Sequence, residues 1–199
     1  MSSLPRAHGG GDLRPLLLQS NAREEAYRRA SSLPRVSVSS RERGDLIMLG
    51  IGGFTPLPGF MTSADWRSVC RDMRLEDGLF WPIPITLSAS QTVADAVAEG
   101  SEVALVDAAS GELMATMTVN EKYRIDKALE CRSVFRTDDP AHPGVRMVME
   151  QGEVNLAGPV QVLSDGGFAQ RYPGLFLTPA ETRAVFERKG WSKVAAFQT

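Results

Sequence analysis

Histidine is almost absent. Only His8 and His142 occur in 199 residues, neither with a second histidine one helical turn away, so neither a His-based metal site nor a two-histidine phosphate clamp can be assembled. Cysteine is equally scarce. Cys70 and Cys131 lie far apart with no CxxC spacing, which excludes a disulfide framework and a zinc knuckle and leaves two buried or half-buried free thiols in a reducing compartment. No apolar run reaches the roughly 18 residues that a membrane span needs. Ahead of Leu16 the chain carries Pro5, Arg6, His8, three consecutive glycines and Asp12 in place of the apolar heart of a secretion signal. An excess of positive charge is missing too. Lys and Arg total 22 against 24 Asp and Glu, a formal net charge of −2, which argues against a nucleic-acid coat or a binder of acidic membranes. These absences describe a cytoplasmic protein with no structural metal, no nucleic-acid partner and no membrane partner.

What is present is ordinary for a soluble globular chain: 43% hydrophobic and 23% charged residues. The length suits one large domain or one plus a small neighbour, and about 70% of the unfolded surface can be buried at this size. Residues 1–12 are small, polar and Gly-rich, an arm poorly ordered unless something ties it down. The spacing predicts a helix over residues 14–30, with Glu24–Arg28 and Glu25–Arg29 pairs at i, i+4. Val36 to Ser40 alternates as a short strand, and residues 41–45 then turn into an apolar segment, residues 46–51. Residues 50–59 (GIGGFTPLPG) form a structured loop.

A helix over residues 62–72 has Thr62 or Ser63 as cap and Asp65 in its first turn. Residues 80–87 (FWPIPITL) cannot be a central strand, because Pro82 and Pro84 lack the ladder donor. Residues 102–107 and 113–119 read as a hairpin around the 109–112 turn. A helix is expected over 123–134, a strand over 144–150, and a strand over 154–163 broken at Gly158-Pro159. Thr178, Pro179 and Glu181 give three agreeing signals for a helix start, and Gly190 ends that helix. Residues 194–197 read as the first strand of a further α/β unit.

Taken residue by residue, the candidate chemistry is sparse. The Gly50–Gly53 glycines lack the lysine and spacing of a phosphate-binding loop, so they read as a turn needing positive φ. Asp45, Asp65, Asp72, Glu76 and Asp77 are scattered and read as caps and solvated faces. His142, within DDPAHPG, reads as a donor of a structural hydrogen bond. Ser37, Ser39 and Ser40 have no neighbouring base and carry no nucleophile. Composition and spacing stop at a β-rich α+β domain followed by the start of another.

Particular strings go further. AHGG (residues 7–10) is similar to the PHGG near the N-terminus of ATP sulfurylases, with Ala7 where Pro is usual, and GGFTPLPGFM (52–61) is similar to their GxxSPLxGFM. DGLFWPIPITL (77–87), DKALE (126–130), VFRTDDPAHPGV (134–145) and LTPAETRAVFERKGW (177–191) follow in the family's order. The terminal VAAFQT (194–199) resembles the start of VxAFQTRNPxHRAHE. Over nearly all of its length the chain therefore resembles the N-terminal region of the sulfate adenylyltransferase family.

The resemblance implies an α+β fold: a PUA-like β-barrel-type domain with flanking helices over residues 13–190, then the first strand of an α/β nucleotidyltransferase domain over 191–199. It implies sulfate activation, ATP plus sulfate giving adenosine 5′-phosphosulfate and pyrophosphate, with Mg²⁺ on the nucleotide. In the family motif Gln198 matches the side-chain amide that meets sulfate, and Thr199 matches the threonine beside the catalytic arginine. The arginine and asparagine of QTRNP and both histidines of HxxH are not among these residues, so the chain alone is expected to be inactive and to bind no cofactor of its own. ATP and sulfate are then partners of a catalytic domain, and the family implies a homo-oligomer and, in some members, fusion to an APS kinase. Two readings follow: the N-terminal lobe of an active sulfurylase, or a non-catalytic sulfurylase-like scaffold attached to such a kinase. RNA binding, which PUA-like barrels can perform, is argued against by the acidic balance and the lack of a basic aromatic stripe.

Overall fold

A computed structural model describes residues 4–197. Its organising element is the strand β7 (Val154–Val162), nine residues long and almost wholly buried. The strands β1 (Arg35–Val38), β4 (Glu102–Asp107) and β5 (Leu113–Thr118) precede it in the sheet, β1 parallel to β4 and the others antiparallel. Three short strands complete the set: β2 (Gly59–Phe60), β3 (Leu87–Ala89) and β6 (Glu121–Arg124), each antiparallel to β7. Residues 154–156 pair with both β3 and β6, so these two strands occupy opposite edges of β7. At its far end Val162 pairs with Ala115 of β5 and also bridges Leu17. One strand thus carries partners along both edges, and the sheet curls around it into a half-barrel.

The expected break at Gly158-Pro159 does not occur. β7 runs through, because Gly158 (φ 153°) bends the strand where β2 crosses it. A Cβ at Gly158 would sit 1.9 Å from the Thr118 carbonyl oxygen, and one at Gly59 would sit 2.1 Å from the Gly158 oxygen. Two glycines at the crossing let three backbones approach where any side chain would force them apart. Around this point Leu46, Leu49, Ile85, Leu87, Leu105, Met117 and Leu156 form the main core.

Several local expectations are corrected. The helix expected from residue 14 is α1 (Ser20–Ala30) only. The peptide N–H groups of Leu16 and Leu17 donate to the carbonyls of Leu49 and Gly50, and that of Leu18 to Val162, which holds these residues extended. The segment expected to turn at 41–45 is α2 (Ser40–Gly50), begun by a capping box between Ser39 and Glu42. The helix α3 (Ser63–Asp72) takes Thr62, one of the two expected candidates, as its cap, and the short α4 (Gln91–Ala96) follows β3.

The helix expected over 123–134 divides into β6 and α5 (Lys127–Val134), with Asp126 capping the helix. The strand expected over 144–150 is a helix, α6 (Pro143–Glu150). His142 caps it, Pro143 opens it, and Val145 and Val148 share its buried face. The arm is tied down. His8 Nε2 donates to the Phe80 carbonyl at 2.7 Å, and Gly9 packs against Pro56 and Leu79. FWPIPITL enters a strand only at Leu87, the first residue of β3; Phe80 makes a single bridge to Arg74, and Trp81 is only 7% exposed and edge-on to Phe54 at 5.8 Å.

α2 is locked to the sheet by its own cap. The Glu42 carboxylate, 2% exposed, accepts from the Ser39 amide (2.8 Å) and hydroxyl (2.7 Å) and from the Ser88 amide (2.7 Å) and hydroxyl (2.9 Å). Arg41 adds a bond to the Thr86 carbonyl (3.1 Å) and pairs with Asp45 (3.0 Å). Burial pushes the Asp45 carboxyl up to about 6, against the pull of Arg41 and with a further push from Glu42. Because the folded chain holds the Asp45 proton more tightly than the unfolded one, this residue's contribution is fully present below pH ~4 and is lost as pH rises through about 6. Wild type should therefore lose on the order of 1–3 kcal/mol relative to Asp45→Asn between pH 4 and pH 8, measured by urea unfolding at both pH values; parallel profiles would contradict it. Trp81→Ala should cost about 3–5 kcal/mol, read as a fall in melting temperature, and an unchanged transition would show that the ring contributes no packing.

Candidate functional site

The matched positions Gln198 and Thr199 lie outside the described residues. The chain approaches them through a short helix, α7 (Phe168–Arg171), and then α8 (Pro179–Lys189). Thr178 and Glu181 form the reciprocal cap anticipated for α8, and Gly190 stops it in the left-handed conformation (φ 64°). Lys189 Nζ then sits 4.9 Å above the Trp191 ring. Residues 194–197, expected to be a strand, have no strand partner among the described residues, and Phe197 is 93% exposed. A lone extended segment has no neighbour to complete its backbone hydrogen bonds. No residue of α8 is buried, and the Arg183 guanidinium bridges to the lobe by donating to the Pro5 carbonyl.

Within the lobe, the glycine loop serves packing. Gly52 has the positive φ that was expected (81°), and the Thr55 hydroxyl donates to its carbonyl (2.7 Å) while accepting from the Arg14 amide (3.0 Å). Leu57, Phe60 and Met61 then enter the core. The carboxylates of Asp65 and Asp77 accept from the amides of Glu76 and Leu79, each at 2.9 Å, as turn and cap residues. His142 is structural, though as an acceptor: its Nδ1 takes the Gly144 amide at 3.2 Å, which places a neutral ring's proton on Nε2.

A second buried polar group was not legible from spacing. Trp66 of α3 donates its indole N–H to Glu130 of α5 at 2.6 Å, and both residues are buried. Beside them the Tyr123 hydroxyl donates to the Met61 carbonyl (3.1 Å) and accepts from the Asn155 amide (3.1 Å). Burial raises the carboxyl of Glu130 above the usual range, opposed by the Trp66 bond, and likewise raises the Tyr123 phenol. The Cys70 thiol is pushed up to about 12 by burial, with Glu130 and Asp126 adding to it. A buried thiol held that far from ionisation is no nucleophile at neutral pH. The cluster therefore fastens α5 onto α3 rather than performing chemistry. Only the DKALE string pointed toward Glu130, and nothing in the sequence paired it with Trp66. Among the described residues, no group of three or more His, Cys, Asp or Glu is placed to hold a metal, and no helix is long and apolar enough to cross a membrane.

Comparison with known proteins supplies what the geometry lacks. The chain is 60% identical over 199 residues to a sulfate adenylyltransferase of Thiobacillus denitrificans, covering all of this chain and 49% of that protein. It is 62% identical over 187 residues to one from Chlorobaculum tepidum, covering 94% and 46% respectively. The chain thus spans about half the length of the curated relatives it matches. Among solved structures, one described as a hexameric APS kinase from Thiobacillus denitrificans superposes with a TM-score of 0.70 at 29% identity, over 96% of this chain and 33% of that one. A family model described as a PUA-like domain matches residues 5–165, the span that contains β7 and all its partner strands, and the chain belongs to the PUA-like domain family.

Proposed function

We propose that this chain is the N-terminal lobe of a sulfate adenylyltransferase, the enzyme that joins sulfate to the α-phosphate of ATP and releases pyrophosphate. The observation that carries the reading is identity of 55–62% to proteins of that name along almost the whole chain. In this reading the lobe is a rigid support. The reaction brings two anions together and stabilises a departing pyrophosphate, which calls for cationic and imidazole donors held in place. Within the lobe, buried polar groups such as Glu42 and Glu130 serve as caps and as joints between elements. Gln198 would present its side-chain amide to sulfate, and Thr199 would stand beside the arginine that neutralises the developing charge. Mg²⁺ would arrive with the nucleotide, since no described carboxylate cluster suits it. The enzyme would be cytoplasmic and homo-oligomeric.

In this reading the lobe spans residues 13–190 and the catalytic domain starts within 191–199; the family match covers residues 5–165 of it, and α8 is joined to the arm through Arg183 and the Pro5 carbonyl. A second reading, a non-catalytic lobe joined to an APS kinase, is favoured by one observation, the structural likeness to a protein described as such a kinase. The residues following Thr199 separate the two: RNP and HxxH favour catalysis, their erosion favours the scaffold.

The 199-residue chain should show no sulfate-dependent release of pyrophosphate from ATP, and clear turnover would overturn the division of labour proposed here. In the longer protein, Gln198→Ala should raise the KM for sulfate about ten-fold or more while ATP binding stays within about two-fold. Unchanged sulfate dependence would remove Gln198 from the site.

A further inference from the structure

Between the arm, the end of α2 and the first turns of α8 lies a groove of about 590 Å³, within the size range of small-molecule sites. Its walls combine two kinds of surface. Leu13, Met48 and Phe176 contribute apolar area, while Arg6, Thr182 and Arg183 bring polar groups to the same space. No Asp or Glu is among the residues that line it. Glu181, on the same helical turn as Thr182, is folded back onto the Thr178 amide and hydroxyl, each at 2.8 Å.

Neither arginine has a carboxylate partner among the described residues. Arg6 donates to the Gly10 carbonyl at 3.1 Å and Arg183 to the Pro5 carbonyl. Each guanidinium carries five N–H donors in a planar fork, so these anchors orient the groups and leave donors over. Two positive charges without counter-charge beside an apolar floor set a definite requirement. The charge calls for an oxyanion, and the floor calls for a flat or aliphatic body. Met48, unbranched and 36% exposed, can adjust to the shape of that body.

We propose that this groove binds a small organic anion: one carboxylate, sulfonate or phosphate group, held by Arg6 and Arg183, on an apolar body lying over Met48. The proposal rests on this groove alone and not on sulfate activation.

The test is a fluorescence titration of the 199-residue chain with 8-anilinonaphthalene-1-sulfonate, paired with its uncharged analogue N-phenyl-1-naphthylamine. The sulfonate should saturate at one equivalent. Arg6→Gln and Arg183→Gln should each weaken it about ten-fold and leave the neutral amine unaffected. Thr182→Trp, which fills the groove from the α8 side, should abolish both. A measurement on the unaltered chain guards against misfolded variants: raising the salt should weaken the sulfonate and not the amine. Sulfonate affinity indifferent to salt and to both glutamine variants would overturn the proposal. So would uptake of several equivalents, which marks adsorption to exposed side chains such as Leu175, or equal affinity for the two dyes, which marks a seat for an apolar side chain of another protein.

Discussion

The structure depends on a close approach of backbones at the middle of β7. Four strands find their antiparallel partner on this one strand, and β2 and β5, which pair with residues 158–162, can do so only if the strand turns without losing its ladder. Gly158 makes the bend, and Gly59 lets β2 lie within it. Everything outside follows from that geometry. The curl gives the core an inside, the inside takes Leu87, Leu105, Met117 and Leu156, and the helices cover what the curl leaves open. Buried carboxylates then act as joints. Glu42 ties α2 to β3, and Glu130 ties α5 to α3. Each is stabilised by the bonds it accepts and made costly to unpair by its burial.

Much of this was legible in the sequence where a single residue carries a local instruction. The Thr62 and Thr178 caps, the Gly190 stop and the 109–112 hairpin turn are local chemistry and behave as such. The failures share a cause: the decisive partner is distant. Leu16 to Leu18 look helical until Leu49, Gly50 and Val162 offer them backbone bonds. VRMVME alternates like a strand, but the proline ahead of it and a small core with Cys131 and Phe135 make it a helix. Ser39-x-x-Glu42 carries the pattern of a capping box, a helix-start signal that competes with the apolar run behind it. Gly158-Pro159, usually a strand breaker, is here the bend on which the sheet is built.

The candidate site divides the same way. Family strings in the sequence name Gln198 and Thr199, which lie outside the described residues, and among the described residues no group of three or more His, Cys, Asp or Glu is placed to hold a metal. Instead, the lobe offers rigid joints and, at its edge, a helix with no buried residue. A support that spends its polar groups on capping and fastening suits a protein whose chemistry is performed by neighbouring segments. The TM-score of 0.70 at only 29% identity shows that the same architecture tolerates wide change in sequence, as expected when topology rests on a few glycines and a common apolar interior.

The three tryptophans of this chain occupy three different electrostatic settings. Trp66 gives its indole proton to a buried carboxyl, Trp81 is buried with its indole nitrogen unpartnered among the described residues, and Trp191 is half exposed beneath an ammonium group. Indole emission responds to hydrogen bonding, to local field and to water. The protein therefore carries its own set of optical gauges, one at the joint between α3 and α5, one under the arm, and one at the exit from α8. Single-tryptophan variants would let the loosening of each of these regions be followed separately, without any added dye.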